Sequence, residues 1–185
     1  MKPLGVGWPN LISGLRILLV PVLVALVLVD TDPASWAAAA VFVGGGVSDF
    51  FDGYLARRHG MTTRTGMWLD PLSDKLLVAA AVLALVVEER FPVWAAVVVL
   101  AREVAVTGLR VVRGTRGESM PASVIAKAKT ASQLLAITLY LLPLPDWTGG
   151  VKLGVLIAAV ALTLYSGVDY FVRAFRPPAS ARASS

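Results

Sequence analysis

The chain has 185 residues, of which 57% are hydrophobic and 16% charged, with a mean hydropathy of +0.74 and a formal net charge of +5. The absence of cysteine excludes disulfides, thiolate nucleophiles and cysteine-based metal sites, and the single histidine, His59, excludes a histidine cluster. The apolar residues fall in runs of about 20, enough to cross a bilayer as a helix, so the composition excludes an ordinary soluble domain and predicts a polytopic membrane protein.

Six apolar segments in chain order predict an all-α fold with six transmembrane helices. Their predicted bounds are 11–29, 35–55, 66–87, 91–112, 122–142 and 151–175. A short piece before the first segment, Leu4 to Asn10, carries Trp8 and is predicted to lie at the membrane interface. Residues 1–176 are predicted to form one membrane domain, and the Ala/Ser-rich residues 177–185 a disordered cytoplasmic tail.

Charges at the ends of these segments are unequally distributed. One set of ends carries the bases Lys2, Arg57, Arg58, Arg64, Arg113, Arg116, Arg173, Arg176 and Arg182. The opposite set carries the acids Asp30, Asp32, Glu88, Glu89 and Asp146, with only Arg90 and Lys152 as bases. Because cytoplasmic loops of membrane proteins are rich in Lys and Arg, both termini are predicted to lie in the cytoplasm, in a multi-pass protein of the cell membrane. The same bias accounts for the positive charge without a nucleic-acid partner.

Four aspartates lie at the cytoplasmic ends of the second and third segments: Asp49, Asp52, Asp70 and Asp74. At about 100° per residue, Asp49 and Asp52 share one face of a helix, and Asp70 and Asp74 share a face of the next. A tight turn would bring the two helices back antiparallel, so the four carboxylates can converge at the cytoplasmic face of the membrane.

Four converging carboxylates cannot all remain ionised without cations, because their mutual repulsion is severe at low dielectric. Oxygen-only ligands favour hard ions such as Mg²⁺ or Mn²⁺, and two such ions would clamp a phosphoanhydride. Gly53 and Ala56, on the same face as Asp49 and Asp52, would leave room for a substrate. The alternative is a structural ion pair with Arg57 or Lys75, which suits two isolated aspartates better than four.

The stretch from Asp49 to Asp74 reads D-x2-D-G-x2-A-R-x8-G-x3-D-x3-D at every fixed position. This resembles the signature of the CDP-alcohol phosphatidyltransferases, membrane enzymes with six spans that are commonly homodimers. The resemblance implies that the four aspartates hold two divalent cations, Mg²⁺ or Mn²⁺, and that Asp74 is also the catalytic general base. It further implies that the CDP moiety is bound by Asn10, Ser13, Gly53, Ala56, Arg57, Thr63 and Gly66. Ser13 stands where the family's P-N-x-x-T start has threonine.

Bases in the fourth and fifth segments indicate the acceptor. Arg110, Lys127 and Lys129 are predicted near the cytoplasmic surface, where they could receive an anionic phosphate or only anchor helix ends at headgroups. The stretches R-E-x3-T-G-L-R, from Arg102, and A-K-x-K-T, from Ala126, resemble the R-E-x3-[ST]-G-L-R and G-K-x-K-T stretches of bacterial phosphatidylglycerophosphate synthases. That resemblance implies transfer of the phosphatidyl group of CDP-diacylglycerol to glycerol 3-phosphate, giving phosphatidylglycerophosphate and CMP.

Two other functions fit parts of the sequence. The first keeps the chemistry and uses inositol phosphate, serine or phosphatidylglycerol as the acceptor. The second is a divalent-cation carrier whose aspartates form the transport site. Carriers place such ligands near the bilayer midplane, often on broken helices in paired repeats, whereas these aspartates lie toward the basic ends and no repeat is evident.

Three further features have a structural interpretation from sequence. Asp169 and Arg173, four residues apart, are interpreted as a structural pair. Glu103, next to Arg102, is interpreted in the same way, with the orientation of a substrate-binding base as the alternative. The run 44–46 of three glycines is expected to permit close helix packing, the alternative being space for the nucleotide.

Overall fold

The computed structural model of the protein describes the backbone of residues 8–59, 66–115 and 124–175, and the side chains of residues 14–48, 75–109, 111–113, 125 and 127–172. This part of the chain is all α, as predicted, with six α-helices and one short 3₁₀ helix. The α-helices are α1 (Trp8–Val29), α2 (Asp32–His59), α3 (Gly66–Val87), α4 (Val93–Thr115), α5 (Val124–Leu141) and α6 (Gly149–Phe175). The 3₁₀ helix, Asp146–Thr148, precedes α6 directly.

The first helix differs from its prediction at the N-terminal end. α1 begins at Trp8, so Trp8 to Asn10 belong to the helix and not to a separate interfacial piece. Pro9 is compatible with this start, because the first turn of a helix needs no backbone N–H donor. Leu4 to Gly7 and the predicted tail, 177–185, lie outside the described residues.

The helices alternate in direction, and Arg90 fastens one end of the bundle. In the turn between α3 and α4, its guanidinium donates hydrogen bonds to Asp30 at 3.0 Å and to Ser35 at 3.1 Å. It also donates to the carbonyls of Tyr140 and Leu141 at the C-terminal end of α5, at 3.3 and 3.1 Å. The C-terminal ends of α1, α3 and α5 therefore meet at this end of the bundle, which we call the Arg90 end.

The centre of the bundle is apolar, and α3 is its central helix. α3 contacts α1, α2, α4 and α5, while α6 packs against α4 and α5. Large side chains fully removed from solvent in this core include Leu23, Phe42, Leu77, Leu85 and Ile137. Close contact between such side chains stabilises a helix bundle through van der Waals packing.

Two of the three glycines in α2 permit the close packing expected of them. A Cβ on Gly45 would lie 2.5 Å from Cδ2 of Leu77 in α3. A Cβ on Gly46 would lie 2.8 Å from Cδ1 of Leu134 in α5. A larger residue at either position would displace a leucine side chain, so these glycines allow α2 to pack closely against α3 and α5.

Among the described residues, one helical stretch is long and apolar enough to cross a membrane: Asp146–Val172. Shorter apolar stretches occur in α1, over Gly14–Val29, and in α3, over Lys75–Val87.

Candidate active site

The four aspartates singled out in the sequence lie in two consecutive helices. Asp49 and Asp52 belong to the C-terminal half of α2, and Asp70 and Asp74 to the N-terminal half of α3. Their side chains lie outside the described set, but the backbones of both helices are described, so the level of each residue along the bundle can be determined. We call these four residues the aspartate layer.

Contacts between α2 and α3 set the register of the two helices. Gly45 lies against Leu77, and the two helices run antiparallel because α2 begins and α3 ends at the Arg90 end. Asp52 is seven residues after Gly45, and Asp70 is seven residues before Leu77. At about 1.5 Å per residue both are displaced by about 10 Å from the contact, in the same direction. Asp49 is four residues after Gly45, and Asp74 is three residues before Leu77. These two residues are therefore at similar levels, about one turn closer to the contact than Asp52 and Asp70.

The register of α1 places the start of the chain beside the same layer. Arg16 in α1 is buried, with 2% of its surface exposed, and its Nη2 donates a hydrogen bond to Ser48 Oγ at 3.2 Å. α1 and α2 are antiparallel neighbours joined by two residues. Ser13, three residues before Arg16, therefore lies on the side of Arg16 where α2 carries its aspartates. Asn10 lies one turn further in the same direction.

The other residues expected to bind CDP are distributed over the same end of the bundle. Gly53, Ala56 and Arg57 continue α2 beyond the aspartates, and Gly66 is the first residue of α3. The side chains at these four positions are not among those described, and Thr63, in the connection between the helices, lies outside the described residues altogether.

The fifth helix brings Lys129 to the level of the aspartate layer. Gly46 of α2 lies against Leu134 of α5, and these two helices are antiparallel since α5 runs toward the Arg90 end. Lys129 precedes Leu134 by five residues, and Phe51 follows Gly46 by five. Lys129 therefore lies level with Phe51, between Asp49 and Asp52 along the axis.

A cluster of charged side chains joins α3, α4 and α5 at this level. The Glu103 carboxylate of α4 accepts hydrogen bonds from Nζ of Lys75 at Oε2 and from Nζ of Lys129 at Oε1. Arg102 Nη1 lies 3.1 Å from the same Oε1, and Arg102 Nη2 donates to Ser166 Oγ of α6 at 2.9 Å. We call Lys75, Arg102, Glu103 and Lys129 the Glu103 cluster.

The three bases expected to bind the acceptor occupy different environments. Lys129 is buried, with 5% of its side chain exposed, within the Glu103 cluster. Lys127, two residues earlier in α5, is exposed. Arg110 lies in α4, seven residues or about 10 Å beyond Glu103 in the direction away from the Arg90 end, and its side chain is outside the described set.

Sequence reasoning missed Arg16 and undervalued Glu103. Arg16 is the only charge in the apolar run from Leu11 to Val29, and a lone charge in such a run is the signal that marks a functional or structural site. Glu103 was interpreted as a pair with its neighbour Arg102, yet it also binds lysines of two other helices.

Replacing Arg16 by methionine is expected to lower kcat/KM for the transfer reaction that the sequence predicts by up to about 10²-fold, the loss that a displacement near 1 Å can cause at a catalytic site. Arg16 acts on α2 through Ser48, which directly precedes Asp49 and whose Oγ also donates to the Gly45 carbonyl at 2.9 Å. The measurement is steady-state release of CMP by the purified variant. Lys152→Met, a base removed at the Arg90 end, is the control; an equal loss in both variants would contradict this role of Arg16.

The donor set of the aspartate layer suits hard divalent cations. Within the described side chains, no three acidic or histidine residues gather into a possible metal site. The aspartates lie outside that set, and their backbone levels agree with a common site. Four carboxylates without nitrogen or sulfur donors are the ligands that Mg²⁺ and Mn²⁺ prefer.

Comparison with known proteins agrees with the sequence pattern. The model of the family described as CDP-alcohol phosphatidyltransferase matches residues 6–165 of the chain. A probable phosphatidylglycerophosphate synthase of Mycobacterium tuberculosis is 39% identical over 170 residues, covering 90% of this chain and 81% of the relative. A CDP-diacylglycerol–glycerol-3-phosphate 3-phosphatidyltransferase of Bacillus subtilis is 37% identical, covering 88% and 92%. One of the same description from Pseudomonas fluorescens is 39% identical, covering 88% and 87%.

Proposed function

We propose that the chain, which belongs to the CDP-alcohol phosphatidyltransferase family, transfers the phosphatidyl group of CDP-diacylglycerol to glycerol 3-phosphate. The products are phosphatidylglycerophosphate and CMP. The observation that carries this function is the common level of the aspartate layer and the Glu103 cluster, since the reaction joins a pyrophosphate to an anionic acceptor. The relatives with 37–39% identity bear names that agree with this reaction.

We propose that all six helices cross the cell membrane, with both termini in the cytoplasm. Each helix carries large apolar side chains on the outside of the bundle, among them Leu18, Trp36, Leu83, Val104, Leu135 and Leu164. Exposed apolar surface of this extent is suited to lipid and not to water. The aspartate layer is then at the cytoplasmic face, because the basic segment ends lie on its side of the bundle.

The domain boundaries and assembly are part of the same proposal. Residues 1–176 form a single membrane domain, and 177–185 a cytoplasmic tail. The assembly is a homodimer, as the resemblance to the family implies.

Asp49, Asp52, Asp70 and Asp74 would hold two divalent cations, Mg²⁺ or Mn²⁺. When bound, such ions neutralise the negative charge of a pyrophosphate and of the departing nucleotide. The register that brings Asp52 level with Asp70, and Asp49 close to the level of Asp74, supports this ligand set.

The residues of the chain bind and orient the two substrates. Asn10, Ser13, Gly53, Ala56, Thr63 and Gly66 form the site for the CDP moiety, and the acyl chains stay in the bilayer. Arg57, one turn beyond Gly53 in α2, offsets the charge of the phosphates. The levels of Asn10 and Ser13, beside the aspartates of α2, support this assignment.

The transfer itself is a direct displacement. Asp74 takes the proton from the 1-hydroxyl of glycerol 3-phosphate, and that oxygen forms a bond to the phosphorus nearer the lipid. The bond between this phosphorus and the bridging oxygen breaks, and its electron pair leaves with CMP. Arg110, Lys127 and Lys129 supply the positive charge that holds the acceptor phosphate, and the burial of Lys129 at the level of the aspartate layer supports its part in this site.

A panel of acceptors tests the assignment. The purified protein receives CDP-diacylglycerol in detergent micelles with Mg²⁺ or Mn²⁺, and CMP is measured with glycerol 3-phosphate, inositol phosphate, serine or phosphatidylglycerol added singly. Glycerol 3-phosphate alone is expected to support CMP release. Activity with inositol phosphate and none with glycerol 3-phosphate would overturn the acceptor. If no acceptor supports CMP release and Asp74→Asn changes only Mn²⁺ flux into vesicles, a cation carrier is favoured.

A further inference from the structure

The Glu103 cluster carries more positive than negative charge. Among the side chains that the structure describes there, the three cations Lys75, Arg102 and Lys129 surround one carboxylate, so the formal charges sum to +2. Exposed fractions of these side chains are 26% for Lys75, 11% for Arg102, 5% for Lys129 and 13% for Glu103. A lysine ammonium has three N–H donors, so each lysine can bind a further acceptor group while it keeps its hydrogen bond to Glu103. The cluster is therefore suited to receive an anionic group.

Glu103 occupies the centre of this cluster and binds each lysine through a different oxygen. Oε2 accepts from Lys75 and Oε1 from Lys129, while Arg102 also donates to Oε1. A carboxylate repels a phosphate, so Glu103 is unsuited to contact the phosphate of an anionic acceptor. Its effect on such a ligand has to pass through the cations that it holds.

Lys129 is the cation with the greatest need for a fixed partner. Its side chain has four rotatable bonds, and holding it in one conformation costs side-chain entropy. Its Nζ lies in a buried place, at the level of Asp49 and Asp52, where Glu103 is the carboxylate that accepts its hydrogen bond. The other end of the cluster is fixed as well, because Arg102 is hydrogen-bonded to Ser166 and its Cγ lies 3.4 Å from where a Cβ on Gly167 would be.

We propose that Glu103 is a positioning residue for the acceptor site: it orients the Lys129 ammonium so that Lys129 binds the phosphate of the acceptor. This role rests on the proposed function. The acceptor phosphate compensates positive charge of the Glu103 cluster. Lys129 keeps its hydrogen bond to Glu103 and donates to the phosphate with its remaining N–H groups. Glu103 itself contacts neither substrate.

Kinetics of the isosteric variant Glu103→Gln test this role. KM for glycerol 3-phosphate is expected to rise by about 10- to 100-fold, the size of effect seen when one partner of a buried, hydrogen-bonded charge pair is removed. KM for CDP-diacylglycerol, and kcat at saturating acceptor, are expected to change by less than about threefold, because the lost interaction affects acceptor binding alone. Glu103→Asp, which keeps the charge but is one methylene shorter, is expected to give an intermediate KM.

Double-variant cycles identify the lysine through which Glu103 acts. In a Lys129→Met background, Glu103→Gln is expected to change KM for glycerol 3-phosphate by less than about twofold, since the oriented group is already absent. In a Lys75→Met background the full rise is expected, since the path through Lys129 is intact. Lys75→Met thus removes the other lysine of the same carboxylate and is the matched control.

Four outcomes would overturn the role. The first is a fall in kcat with KM for the acceptor unchanged. The second is an equal rise in KM for both substrates, and the third is a lower melting temperature with unchanged kinetics, as a merely structural ion pair would give. The fourth is an effect that persists in Lys129→Met and vanishes in Lys75→Met. If Glu103→Gln does not fold, Glu103→Asp provides the same comparisons. A wild-type protein inactive with every phosphorylated acceptor would instead contradict the proposed function.

Discussion

Replacing Asp74 by asparagine is expected to reduce kcat for phosphatidyl transfer by about 10²- to 10⁴-fold, the contribution of a positioned general base. Asparagine keeps the size of the side chain but cannot take the proton from the acceptor hydroxyl. It also replaces a charged oxygen ligand by a neutral amide, so binding of the divalent cations is expected to weaken. The loss is measured as CMP released per enzyme at saturating CDP-diacylglycerol and glycerol 3-phosphate.

Asp32→Asn is the control for this change. Asp32 is exposed and is the first residue of α2, in the same helix as Asp49 but near the Arg90 end. Its removal changes the net charge by the same amount and is expected to leave kcat within about twofold, as surface substitutions usually have small effects. Equal activity of Asp74→Asn and wild type at all acceptor concentrations would remove Asp74 from the chemistry.

Removal of divalent cations is expected to abolish transfer, and addition of Mg²⁺ or Mn²⁺ to restore it. The four carboxylates of the aspartate layer repel one another and leave the pyrophosphate of the substrate uncompensated when no cation is present. The measurement is CMP release after treatment with EDTA, followed by titration with each ion. Full activity in the presence of excess EDTA would contradict the metal dependence.

Melting temperature provides a readout of cation binding that does not depend on turnover. A ligand that binds only the folded protein stabilises it, so Mn²⁺ is expected to raise the melting temperature of the wild-type protein in detergent. Asp70→Asn, which lacks one carboxylate of the layer, is expected to lose this increase, whereas Asp32→Asn is expected to keep it. The same increase in all three proteins would place the bound ion elsewhere.

Much of the fold could be predicted because the physical constraint is simple. A helix that crosses a bilayer needs an apolar run of fixed length, and charged or proline-containing stretches mark its ends. α3 begins and ends at the predicted residues, Gly66 and Val87, and the other helices differ from prediction by up to four residues at each end. The aspartates share helix faces for the same local reason, since spacing within one helix is fixed by its geometry.

The Glu103 cluster was beyond sequence reasoning, because its partners are far apart in the chain. Lys75 and Lys129 are 28 and 26 residues from Glu103, and no spacing rule within a helix connects them. Spacing within a helix also does not show which of Lys127 and Lys129 is buried. At about 100° per residue they lie on nearly opposite faces of α5, which the sequence indicates, but only the packing of α5 determines which face is buried.

The sequence identifies the glycines at which α2 packs closely, but not the helices that they contact. The run 44–46 predicts close packing, yet only the structure shows that Gly45 meets α3 and Gly46 meets α5. These two contacts place Lys129 and both halves of the aspartate layer at one level.

The most direct test of phosphatidyl transfer to glycerol 3-phosphate is the stoichiometry of the two products. Purified protein is incubated with CDP-diacylglycerol and Mg²⁺ or Mn²⁺, with and without glycerol 3-phosphate, and CMP and phosphatidylglycerophosphate are quantified by mass spectrometry. Equal amounts of both products are expected with the acceptor, and neither without it. Release of CMP in the absence of acceptor, or a phosphatidyl group covalently bound to an aspartate, would contradict direct displacement at the aspartate layer.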